Sequence, residues 1–296
     1  MGGQVLITSC IDEYGTSVIF PAWGNARKGR NLVGPNSQIS RKLNKDWFVE
    51  QLRYTVFPAP PTKETRSIEK LWEALVGKKP DELHARPAEG YAEVKGLSSL
   101  DDYPCNIFIE NHLDRIHLRA NPAAPGIKEL HPWLAIGSLE NLIQPFSGLI
   151  DRCFALEDWP KEALRFAFGA VLFFPVSSRE EGYRELDKLL AYVDMAPELT
   201  SDFILQVNRP IESKFGHINR LMKWITAVTH GQLSLKFEGQ NVKATPTTES
   251  KYSVRLELDV STKPENADKI IGASQSEVFS KLLGMALEIA EKGDFK

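Results

Sequence analysis

Cysteine is scarce in this chain. Its three cysteines, Cys10, Cys105 and Cys153, stand far apart, and none belongs to a Cys-x-x-Cys pair. This excludes a disulfide framework and predicts three free thiols in a reducing cytoplasm. Long apolar runs are missing too: the longest, Phe166 to Val176, falls short of the ~20 residues that span a bilayer. The opening Met1-Gly-Gly-Gln-Val-Leu-Ile lacks the charged start and apolar core of a secretion signal, so a cytoplasmic protein without membrane attachment is expected. Excess charge of one sign is absent as well. With 36 basic and 39 acidic residues the formal net charge is -3, so any affinity for nucleic acid must be local.

Familiar catalytic signatures are also lacking. There is no Gly-x-Ser-x-Gly elbow, no Walker A loop and no dinucleotide fingerprint. The histidines His84, His112, His117, His131, His217 and His230 form neither His-Glu-x-x-His nor a cysteine/histidine zinc spacing. They read as surface or capping residues, and neither a cofactor nor a metal is expected.

What is present is an ordinary folded composition, 42% hydrophobic and 25% charged over 296 residues. Strand patterns are clearest at Phe203-Leu205-Val207, at Ile107-Ile109, at Ile116-Leu118 and at Tyr252-Val254-Leu256-Leu258, each with polar residues alternating between. Arg115, His117 and Arg119 share one face of their strand. Leu164 to Phe174 is apolar enough for a strand covered on both faces. Helical spacing appears at Ile68–Val76, stopped by Gly77 and Pro80, and at Leu139–Cys153, where Pro145 predicts a kink or a split. Ser178 with Glu181, and Ser274 with Glu277, fit capping boxes that open two further helices. Trp47 to Phe57 is ambiguous between helix and strand, and residues 78–103 read as a polar connection.

The order of these elements predicts an α+β fold with an antiparallel-rich sheet and packed helices. Asn121-Pro-Ala-Ala-Pro-Gly126 marks a break, giving an N-terminal lobe over 1–130 and a C-terminal lobe over 131–296. Asp202 to Trp224 stands out as an organising stretch: a strand ending at Pro210, then a bend bracketed by Asn208-Arg209 and Asn219-Arg220.

Four sets of residues carry candidate chemistry. The segment 21–45 holds Arg27, Lys28, Arg30, Arg41 and Lys42 with several glycines and no acid. Its amides and cations suit an anion, and the flanking Trp23 and Trp47 suit base stacking; otherwise it is a solvated connection with its tryptophans in the core. Arg209 and Arg220 read as fasteners paired to Asp202, Glu212 or the late strand, or else as a grip on an anionic group. Arg255, Glu257 and Asp259 project from one strand face, as a ligand site or as alternating surface charge. Asp81 with Glu93 and Lys95 spells a PD…ExK nuclease pattern, whose chemistry needs both carboxylates on neighbouring strands around a metal.

The runs Arg165-Phe-Ala-Phe-Gly-Ala-Val-Leu, Asp202-Phe-Ile-Leu-Gln-Val-Asn-Arg-Pro, Ile218-Asn-Arg-Leu-Met-Lys-Trp and Val254-Arg-Leu-Glu-Leu-Asp resemble an uncharacterised prokaryotic family described as sporadically distributed among genomes. The resemblance covers roughly residues 131–262 and carries over no reaction and no catalytic residue. A patchy distribution implies a component or regulator of a defence or toxin-related system. The expectation is therefore a non-enzymatic interaction protein with a protein partner. Nucleic-acid binding through 21–45 and metal-dependent nuclease activity are the alternatives.

Overall fold

The computed structural model describes side chains for residues 45–59, 68–123, 134–228, 250–265, 270 and 274–294, and backbone alone for 4–7, 229–238, 241–249 and 266. In chain order the strands are β1 (Gln4–Ile7), β2 (Phe48–Pro58), β3 (Glu82–Arg86), β4 (Tyr91–Leu100), β5 (Tyr103–Asn111), β6 (Ile116–Pro122), β7 (Ala163–Val176), β8 (Ile204–Asn208), β9 (Ile211–Ser213), β10 (Gly216–Glu238) and β11 (Asn241–Thr262). The helices are α1 (Ile68–Val76), α2 (Leu139–Ala155), α3 (Arg179–Leu189) and α4 (Gln275–Lys292). The fold is α+β, as the pattern of the sequence predicts.

All eleven strands join one antiparallel sheet, in the order β1-β10-β11-β7-β2-β6-β5-β4-β3, with β8 and β9 also paired to β10. The break expected near residue 130 falls outside the described residues, and the strands on either side of it share this sheet. The joint is β2 against β7, where Leu52 faces Ala170 and Tyr54 faces Phe168. Residues 78–103 are not a connection: they form β3 and β4, with Glu82 opposite Lys95 and His84 opposite Glu93. Trp47 to Phe57 resolves as strand, because Leu52, Tyr54 and Val56 are buried at a period of two.

One row of register partners shows how the core is built. Val94, Ile109, Leu118, Tyr54, Phe168 and Val260 lie side by side on six neighbouring strands, pointing to one face. All six are buried. The helices close over this face. Phe279 of α4 meets the Tyr54 ring at 5.1 Å and Phe168 at 6.2 Å, while Phe146 of α2 lies 6.3 Å from Phe168. Each such ring is worth about 1.5–3 kcal/mol relative to exposure, so this layer dominates the stability of the fold. α1 reaches the same side through Trp72, which is fully buried and packs over Gly96. α3 reaches it through Gly182, whose missing side chain lets Thr226 approach.

Helix ends follow the sequence in part. Ser178 Oγ accepts the amide of Glu181 at 3.2 Å, and the Glu181 carboxylate reaches back to the amide of Ser177 at 2.6 Å. Ser274 makes no side-chain cap, and Glu277 turns instead to Lys214. α2 runs through Pro145 as one helix rather than splitting. No helix among the described residues is long and apolar enough to cross a membrane.

Candidate functional site

The face opposite the helices is polar, and strand register fixes its order. One row reads Glu82, Lys95, Phe108, Arg119, Arg53, Gly169, Asp259, Leu221 and Asn208 across nine strands. The next reads His84, Glu93, Glu110, His117, Thr55, Ala167, Ser261 and Asn219. No described helix covers these rows.

Opposite charges are paired along them. Lys95 meets Glu82 at 3.0 Å, Arg53 meets Asp259 at 2.7 Å, Arg255 meets Glu50 at 3.0 Å and Lys223 meets Glu257 at 3.7 Å. Arg119 is bonded to Glu110 and lies 4.0 Å from Glu93, with its guanidinium 4.9 Å above the Phe108 ring. Arg165 covers Phe57 at 4.9 Å and donates to Ser261 Oγ at 3.1 Å. The Lys95 ammonium holds the Glu82 carboxyl below its ordinary value through their hydrogen bond, whereas burial raises that of Glu50 against the pull of Arg255.

At the β5–β6 end the cluster tightens. His117 lies opposite Glu110 on one side and Thr55 on the other. Arg115 Nε donates to His117 Nε2 at 2.9 Å, so the ring proton sits on Nδ1 and goes to Thr55 Oγ1 at 2.8 Å. Burial, with Arg53, Arg115, His112 and Arg119 nearby, pushes the imidazole down to about 3. It is neutral at any physiological pH. His112 packs edge-on to His117 at 5.5 Å between ring centres and against Tyr91 at 5.0 Å. The Tyr91 hydroxyl donates to Glu93 at 2.9 Å and, through burial and this bond, rises to about 12. A shallow cavity of about 350 Å³, lined by Arg86, Glu89, Tyr91 and His112, opens beside it.

The nuclease residues are not brought together. Glu93 and Lys95 point from β4 onto the polar face, where they are occupied by Tyr91, Arg119 and Glu82. Asp81 lies on the helix side, its carboxylate against Gly96 and accepting the Leu97 amide at 2.6 Å. A sheet separates the two carboxylates. Arg255, Glu257 and Asp259 do share one face, but their neighbours from adjacent strands are the cations Lys223 and Arg53 and the acid Glu50, so they read as alternating charge and not as a metal site.

Arg209 and Arg220 are fasteners, with a different partner from those expected. Arg209 Nε sits 2.6 and 2.8 Å from the two oxygens of Asp294, and its guanidinium stacks 4.8 Å over Tyr192, which also bonds Asp294. Arg220 lies on the helix side of the sheet, nearly buried, and its Nε donates to the Arg209 carbonyl at 3.0 Å. Burial pulls its pKa down while Glu288 and Asp294 oppose that pull. Asn208 completes the bend by accepting the Arg220 amide at 3.1 Å and donating to Asn219 at 3.2 Å.

Arg27, Lys28, Arg30, Arg41, Lys42 and Trp23 lie outside the described residues. Lys45, the last cation of that segment, pairs with Glu185 and covers the Phe174 ring at 4.8 Å. Trp47 is no stacking platform. It is 1% exposed, donates to the Ala290 carbonyl at 2.9 Å and packs on Phe174 and Trp224.

Periodicity already places Arg115, His117 and Arg119 on one face. What it misses is the company they keep: Glu110, Thr55, Arg53 and Tyr91 come from three other strands, and pairing partners leave no mark on a single sequence. Comparison with family models, with curated proteins and with solved structures finds no match to this chain.

Proposed function

We propose that this protein works by binding and not by catalysis, presenting the polar face of its sheet to a protein partner. The observation that supports this is the mixed-sign ladder across that face, which no described helix covers. Every cation of the ladder named above except Arg165 has a carboxylate within 4 Å. A phosphodiester track would meet those acids at every step, whereas nucleic-acid surfaces need uncompensated cations that release counterions. A protein surface of complementary alternating charge fits the ladder and would be held in register by it. The family resemblance of residues 131–262 supports a partner encoded in a defence or toxin-related locus.

The test is affinity capture from the native host with the full chain, compared with Lys223→Glu and Arg255→Glu. One protein held in stoichiometric amount by the parent and lost from both variants is the expected result. Labelled single- and double-stranded DNA and RNA should bind no better than to an unrelated protein of equal charge. Salt-dependent nucleic-acid binding that disappears when Arg27, Lys28 and Arg30 are replaced would move the function to the 21–45 segment instead.

A further inference from the structure

Glu110, His112 and His117 each offer one ligand atom, and these atoms all lie within 4.8 Å of one another in a half-buried corner. Glu110 and His117 are register partners on β5 and β6, and the turn between them is held by the His112 amide donating to the Arg115 carbonyl at 2.8 Å. The backbone therefore fixes the spacing of all three. From this geometry we infer a binding site for a divalent transition-metal ion of the zinc class, with two imidazoles and one carboxylate as ligands and further positions open to the adjoining cavity.

Two observations favour such an ion, and a third shows that the site can make room for it. The donor set, two nitrogens and one oxygen, is one that zinc accepts with a water in its remaining position. His117 is in the tautomer a ligand needs: its Nδ1–H is committed to Thr55, so Nε2 carries the lone pair, which now accepts from Arg115 Nε. The lone pairs a metal would take are now held by cationic donors, one of which must give way. The Arg115 guanidinium occupies His117 Nε2, and that of Arg119 occupies Glu110 Oε1, while Glu110 Oε2 lies 3.8 Å from His112 Nε2. Arg115 has an alternative partner in Asp114 at 3.2 Å, so it can give up His117 without losing its ion pair. Arg119 need not move, because it holds the other carboxylate oxygen.

Zn²⁺ is titrated into the chelator-stripped full chain by calorimetry, with metal analysis after equilibrium dialysis. One equivalent per chain is expected. His112→Ala and His117→Ala should each weaken binding at least about tenfold, as loss of a ligand does. Arg115→Ala should tighten it severalfold, because it frees His117 Nε2 and removes a cation; adventitious surface binding would not respond in that direction. No stoichiometric equivalent in the parent, or parental affinity in His112→Ala, overturns the site. Should His117→Ala fail to fold, His112→Ala and Arg115→Ala, both in the turn, decide the matter alone.

Discussion

Arg53 and Asp259 meet at 2.7 Å although a whole strand lies between them, and the residue they cross is Gly169. A side chain at 169 would begin 3.0 Å from the Arg53 Nη2 and 3.1 Å from its Nε. The glycine is thus the gap through which β2 reaches β11.

Double-mutant cycles on Arg53→Ala and Asp259→Ala should give a coupling of about 1 kcal/mol or less, because both side chains are about a third exposed. Gly169→Ala should be nearly neutral, since the flexible guanidinium can yield. Gly169→Leu should cost about 1–3 kcal/mol by overfilling the row. In that background the Arg53–Asp259 coupling should vanish, which urea denaturation of the four variants measures. A coupling that survives Gly169→Leu would contradict the geometry.

The end of α4 is held by a second glycine. Gly293 has φ +78°, and a Cβ there would lie 2.0 Å from the Leu189 carbonyl oxygen. Gly293→Ala should therefore cost about 1–3 kcal/mol from backbone strain, with the steric clash in addition. Asp294→Ala should destabilise by about 3–5 kcal/mol, the range for breaking a buried pair, because it leaves Arg209 without its carboxylate. Arg209 is partly exposed, so the lower end is expected. Thermal midpoints of the two variants check both numbers.

Two of the three thiols should be inert. Cys105 and Cys153 are fully buried, and burial lifts Cys105 to about 12 and Cys153 higher still. In the native protein at pH 8 a thiol reagent should label neither, and both should react after unfolding. The same shifts bear on alkaline stability. A thiol whose folded value is raised leaves the stability intact below the unfolded value of 9.0 and erodes it as pH climbs toward 12. Stability should accordingly fall from about pH 9 upward, and less steeply in Cys105→Ala and Cys153→Ala once their cavity cost is subtracted.

Trp47→Phe keeps an aromatic ring against Phe174 and Trp224 but leaves the Ala290 carbonyl without its donor. A loss of about 1 kcal/mol is expected. The Trp47 indole should also resist quenching by acrylamide in the native state, in a variant whose other tryptophans are replaced.

How much of this was legible beforehand depended on whether the signal was local. Alternation at Tyr252 to Leu258 and helical spacing at Ile68 to Val76 name their own elements, since period alone sets the face each residue takes. β3 and β4 were missed because their buried positions are small: Ala92 and Gly96 flank Val94, and β3 is exposed throughout. The fastening role of Arg209 and Arg220 was readable from their placement around a bend. Their partner was not, because Asp294 lies 85 residues from Arg209, just past the end of α4. The His117 corner was half visible. Arg119 shares β6 with His117 and Arg115 directly precedes that strand, but Glu110 and Thr55 arrive through pairing.

The pairing of β2 with β7 sets a timetable for synthesis. Residues 48–58 leave the ribosome long before 163–176, and until then one edge of β2 has no neighbour to bond with. A chain interrupted near residue 130 would carry that bare edge permanently, as a template for any stray strand. The nascent first half is thus the stage at which aggregation competes with folding, and the stage at which a chaperone has most to gain.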